Sequence, residues 1–156
     1  MMLWQQIAAF IAWIIFCAWL FARVEIEIEG PAGWAANLPT WRVEEHPLLD
    51  WFWGSRAMTG YHAWMFSFML AIFHLPVFVF GTVSWKIEAR IFGGLMVFWI
   101  LEDFLWFVLN PAFGLARFSP EHVPWHKRWA WRVPADYIVF LAVGGSLIMC
   151  SFLLVR

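Results

Sequence analysis

Glu102 and Asp103 stand side by side inside an otherwise apolar run, about 89–109, that is long enough to cross a bilayer. An acidic side chain at the centre of such a helix costs about 2.5–3.5 kcal/mol, and less nearer an interface. At 1.5 Å per residue the pair lies about 10 Å from the end of the run next to Asn110. Glu102, Trp106 and Asn110 share a helical face, while Asp103 is turned about 100° away and addresses a second neighbour. Carboxylates combined with imidazoles suit zinc or iron, as one or two ions, and helical bundles build two-metal sites from such sets. The expected ligands are Glu102, Asp103, His62, His122 and His126, with Tyr61, Asn110 and Tyr137 orienting them from behind. His122 and His126 are four apart and share a face if their segment is helical, although Pro124 between them allows only a helix start. Neither a Glu-x-x-His nor a His-Glu-x-x-His motif is present. The competing reading is structural: the acidic pair accepts hydrogen bonds from His62, Tyr137 or indoles and pairs with Arg128 or Arg132, as polar groups between membrane helices do.

The elements that position these residues follow from composition. Of 156 residues, 63% are hydrophobic and 13% charged, and the mean hydropathy is +0.71. A soluble domain is about half apolar and a quarter charged, and a globule of this size cannot hide so much apolar surface. Ten basic against eleven acidic residues provide no basic field for nucleic acid. The expected class is an all-α integral membrane protein forming one membrane domain over 1–156. Four spans are expected, at about 3–22, 59–83, 89–109 and 134–155. The first is not read as a signal peptide, since no Lys or Arg precedes it and it carries Trp4, Trp13 and Trp19.

Four spans put both termini on one side and the connections 23–58 and 110–133 on the other. The connection side carries Arg23, Arg42, Arg56, Arg117, Lys127, Arg128 and Arg132, so the positive-inside rule assigns it to the cytoplasm. The threading gathers His46, His62, His122, His126, Tyr61, Asp136 and Tyr137 at the same end of the bundle as the acidic pair. Trp125, Trp129 and Trp131 among basic residues are expected to form an interfacial cap there. In the first connection, Val24–Glu29 alternates apolar and acidic residues, which fits a strand with Thr40–Glu44 returning against it, or equally a frayed helix end. The segment 47–53 reads as a short interfacial helix. His46, before Pro47, and His74, about 18 Å from His62 along its helix, are read as outside the site. Cys17 and Cys150 fall near opposite faces and cannot bond.

The residues do not fit several known membrane families. Haem b is not expected, because spans one, three and four contain no histidine to face another. Five histidines are too few for the boxes of desaturases, and no reactive cysteine pair supports disulfide generation. Small multidrug exporters are similar in size and helix count but carry an essential Glu in their first span, where this chain has none. The expected function is a small membrane metalloprotein, with a lipid-like substrate entering from the headgroup region if it is an enzyme. The first alternative is a non-catalytic subunit of a larger membrane complex, binding lipid, quinone or pigment through its 14 Trp and 17 Phe. A weaker alternative is a proton or ion pathway through Glu102 and Asp103. Expected partners are membrane lipids and either a membrane protein or a second copy of the chain.

Overall fold

The computed structural model describes residues 2–52 and 56–153. Helix α1 (Leu3–Glu29) is followed by a two-residue strand β1 (Arg42–Val43), a short helix α2 (Pro47–Phe52) and a strand β2 (Met58–Thr59). Helices α3 (Gly60–Phe73) and α4 (Leu75–Phe80) run on to α5 (Trp85–Leu109). A 3-10 turn (Leu115–Arg117) and strands β3 (Trp129–Ala130) and β4 (Val133–Pro134) lead to α6 (Ala135–Leu153). Four helical stretches are long and apolar enough to cross a membrane: Leu3–Glu29, Gly60–Phe80, Trp85–Leu109 and Ala135–Leu153. An all-α bundle accommodates all of them.

The first helix extends beyond the expected 3–22 and takes in the alternating segment, so the strand reading of Val24–Glu29 is corrected. Ala18, Ala22, Glu25, Ile26 and Glu29 are buried while Val24, Glu27 and Ile28 are exposed. Those buried positions follow the spacing of one helical face, not period two. The helix stops at Gly30, whose φ of 65° suits glycine and whose N–H bonds the Ile26 carbonyl at 2.9 Å, and Pro31 follows. Arg42–Val43 therefore pairs not with the glutamates but with Met58–Thr59, antiparallel, with Arg42 opposite Thr59.

Helix α5 packs between α1 and α6 and touches α3 more lightly. Ile14, Ala18, Phe73, Phe98, Ile148 and Phe152 form the main core. A second cluster of Ala22, Ile26, Trp106, Phe107 and Val123 sits nearer the polar end. The break between α3 and α4 falls at His74, two residues before Pro76, which has no N–H to continue the ladder. His74 Nδ1 donates to the Leu70 carbonyl at 2.6 Å and Nε2 lies 3.2 Å from Glu88 Oε2, so this imidazole serves the local helix defect and the first turn of α5.

Helices α5 and α6 cross backbone to backbone. A Cβ on Gly93 would stand 2.6 Å from the Gly144 carbonyl oxygen, and one on Gly144 would stand 2.9 Å from that of Gly93. Small residues permit such close crossings. Gly93→Ala should therefore lower stability by about 1–3 kcal/mol, the usual cost of overpacking. Gly145→Ala, with nothing within 4 Å of its Cβ, should be neutral or gain from helix propensity. Thermal melts in detergent make the comparison, and equal melting temperatures would remove the crossing from the account.

Candidate functional site

Each side chain of the polar end is placed by an element boundary. On α1, Glu25 and Glu29 are one turn apart and both buried. The Tyr61 hydroxyl donates to Glu25 Oε1 at 3.0 Å, and the Ala35 N–H donates to Glu29 Oε1. At the start of α3, Thr59 is the N-cap: its Oγ1 accepts from the His62 N–H at 3.2 Å and lies 2.7 Å from His62 Nδ1. That cap fixes the imidazole with Nε2 turned toward Glu29 Oε1, 3.9 Å away. The Trp34 ring stacks on His62 with centroids 4.0 Å apart.

Trp34 and Ala35 hold φ of 58° and 51°, conformations that non-glycine residues seldom adopt. The surrounding contacts over-determine them. Trp34 Nε1 donates to the Ala57 carbonyl at 2.7 Å, and Arg42 donates to the Trp34 and Ala35 carbonyls. Gly33 is needed next to them, since a Cβ there would meet Trp106 at 2.8 Å and Trp125 at 2.9 Å. A backbone held this way is a form of strain that clusters at functional sites.

On α5, Glu102 and Asp103 diverge as helical geometry requires. Asp103 Oδ2 accepts from the Tyr137 hydroxyl and lies 3.0 Å from His126 Nε2. Arg56 donates to His126 Nδ1 at 2.6 Å and forms an ion pair with Asp136 at the start of α6. A guanidinium can only donate, so His126 Nδ1 is an acceptor and its proton sits on Nε2, pointing at Asp103. The imidazole is thus held neutral. Burial pushes its pKa below the ordinary histidine value, against the opposing pull of Asp103, and burial likewise lowers Arg56. Arg56 also lies over the Trp34 ring, 5.1 Å from its centroid.

A folded pKa below about 6.5, the unfolded value, means that the unfolded chain binds more protons once the pH falls through that range. The contribution of neutral His126 to stability is then present above about pH 6.5 and lost on acidification. Between pH 7.5 and pH 5 the melting temperature should drop less in His126→Gln than in the parent. Parallel drops would mean that other groups set the acid sensitivity.

Glu102 is turned the other way. Its carboxyl faces that of Glu25. Glu102 is 3% exposed, and its Oε1 and the Trp106 Nε1 have no hydrogen-bond partner among the described residues. Glu25, Glu29, His62, Glu102, Asp103 and Tyr137 all line one cavity of about 70 Å³, walled otherwise mainly by aromatic rings. A single water needs about 10–15 Å³, so the cavity has room for several waters or an ion with part of its shell. Among the described residues no three His, Cys, Asp or Glu side chains already stand in coordinating geometry.

Of the residues singled out from sequence, Glu102, Asp103 and His62 line this chamber, with His126 behind Asp103. Tyr61 and Tyr137 each donate to a chamber carboxylate. Two do not join. His122 is exposed and its Nδ1 lies 3.0 Å from Ser119 Oγ. The segment turns at Ser119, whose carbonyl accepts from the His122 and Val123 N–H groups, and this buries Val123 and leaves His122 outside. The pair 122 and 126 therefore shares no helical face. Asn110 is a joint between helix ends: Nδ2 donates to the Gly30 carbonyl at 2.9 Å and Oδ1 accepts from the Ala112 N–H at 3.0 Å. His46 receives the Leu48 N–H at 3.2 Å on the exposed surface. Sequence reasoning missed Glu25, Glu29, Arg56 and Trp34; the spacing Ala18, Ala22, Glu25, Glu29 was the available signal for the first two.

No family model, curated protein or solved structure matches the chain.

Proposed function

We propose that the chain is a small integral membrane metalloprotein whose chamber binds zinc or iron through Glu25, Glu29, Glu102 and His62. One observation carries this reading. Three glutamates are buried around one cavity with no Lys or Arg in contact with them among the described residues, and one of their oxygens has no donor at all. Asp103 is already satisfied by His126 and Tyr137, and Asp136 by Arg56, so the excess negative charge is concentrated on the three glutamates. Carboxylate and imidazole donors suit these metals, and a contact between Thr59 and His62 Nδ1 is the kind that holds a ligand imidazole in place. The ion would have to draw the donors together. A bound metal would supply Lewis-acid chemistry or, for iron, redox chemistry, and the aromatic walls suit a lipid-like substrate. Elemental analysis of the purified protein tests the reading.

A second reading, a non-catalytic subunit of a larger membrane complex, is favoured by the α3–α4 face. Trp64, Phe78 and Phe80 are each more than 70% exposed there, a surface that a partner or lipid would cover.

In the membrane, the chamber end would face the cytoplasm by the positive-inside rule, with Trp131, wholly exposed, at headgroup level. Cysteines placed at Ser84 and Ser119 should then label from opposite sides of a sealed membrane. Labelling of both from one side would overturn this threading.

A further inference from the structure

Directly outside the chamber lies a second, open basin of about 480 Å³. Gly33, Trp34, Arg56 and Trp125 belong to the walls of both, so the two cavities share a wall. Their electrostatics are opposite. The outer basin is faced by Arg42, Arg56, Lys127 and His122, and no acidic side chain lines it among the described residues. Arg42 is anchored by two backbone carbonyls and has no carboxylate partner among the described residues. Lys127 is exposed and likewise has no ion pair among them. A guanidinium held by carbonyls is presented to a ligand at low conformational cost, as phosphate and carboxylate recognition requires. The remaining walls, Trp34, Trp125 and Phe113, are aromatic, and a volume of this order accommodates a small organic ligand.

We infer that the basin is a binding site for a phosphate group, held between Arg42 and Lys127, with the indoles of Trp34 and Trp125 beside it. The phosphate can come from a lipid headgroup or from a free phosphate. The site goes beyond the metal reading and does not depend on it, because none of Arg42, Lys127 and Trp125 is a proposed metal ligand.

The test uses the full chain in a neutral detergent, with dihexanoyl phosphatidic acid and inorganic phosphate as separate probes and thermal shift and native mass spectrometry as readouts. The short-chain lipid should bind saturably, more weakly as salt is raised. Lys127→Glu, a reversal at an exposed position that leaves the fold intact, should weaken binding about tenfold or more, the scale of a lost charge-assisted hydrogen bond. Arg42→Gln should do the same, and Lys86→Glu at the other end of the bundle should not. If inorganic phosphate competes at equal concentration, the ligand is a free phosphate; if it does not, the ligand is a lipid. Either result upholds the site. Failure of both probes to bind the parent, or equal binding by Lys127→Glu, overturns it. Metal content measured on the same samples separates this outcome from that of the chamber: anion binding without metal leaves the basin standing alone.

Discussion

Glu102→Gln should lose most of the bound metal while the protein folds as well as the parent or better. The amide keeps the size of the side chain and removes the charge. Glu102 is buried with one oxygen lacking a donor and the other side of the carboxyl group facing Glu25. An uncharged group is cheaper to bury there, because desolvating an ion costs several kcal/mol even after relaxation. A purely structural Glu102 would thus tolerate the change. A ligand would not, since an amide is a poor substitute for an anionic donor to zinc or iron. Asp103→Asn is the informative companion. Its carboxylate accepts from Tyr137 and His126, so this variant should lose stability first and metal only in part. Metal content and melting temperature of both variants decide it. Full occupancy in Glu102→Gln would remove Glu102 from the ligand set.

The second large effect concerns Arg56, whose side chain is only 11% exposed. It joins Asp136, His126 and the face of Trp34, tying the loop before α3 to the start of α6 and to the second connection. Removing one partner of a buried ion pair typically costs about 3–5 kcal/mol, because the other charge is left uncompensated. Asp136 is 32% exposed and reaches water, so Arg56→Met should fall at the low end, about 3 kcal/mol, or on the order of 10 °C in melting temperature for a chain of this size. Adding Asp136→Asn should recover part of that loss, since it removes the orphaned charge. An unchanged melting temperature in Arg56→Met, or no recovery in the double variant, would show that the guanidinium does not hold the wall.

What could be read from sequence and what could not divides along physical lines. The four apolar helices and the anomaly of Glu102 and Asp103 are local features, visible as charge inside an apolar run. Topology alone then brings His62, Tyr61, Tyr137 and Asp136 to the same end. Glu25 and Glu29 were obscured because Glu-Ile-Glu-Ile-Glu satisfies period two by residue type while its outer glutamates also satisfy a helical turn. Only Ala18 and Ala22 upstream separate the two patterns. The exclusion of His122 depends on a turn at Ser119 whose carbonyl bonds have no periodic signature. Arg56 reaches Asp136 across eighty residues of chain, and no spacing rule encodes such a pair. The stack of Trp34 on His62 rests on two positive-φ residues that neither glycine nor proline at those positions announces.

The most direct measurement is the metal content of the full chain purified in detergent without chelator, by elemental analysis, before and after incubation with zinc and with iron(II). Close to one or two equivalents of zinc or iron should be retained through gel filtration, and that metal should be lost in Glu102→Gln. Parent protein that is well folded by its melting curve, yet holds no stoichiometric metal even after incubation, would contradict it.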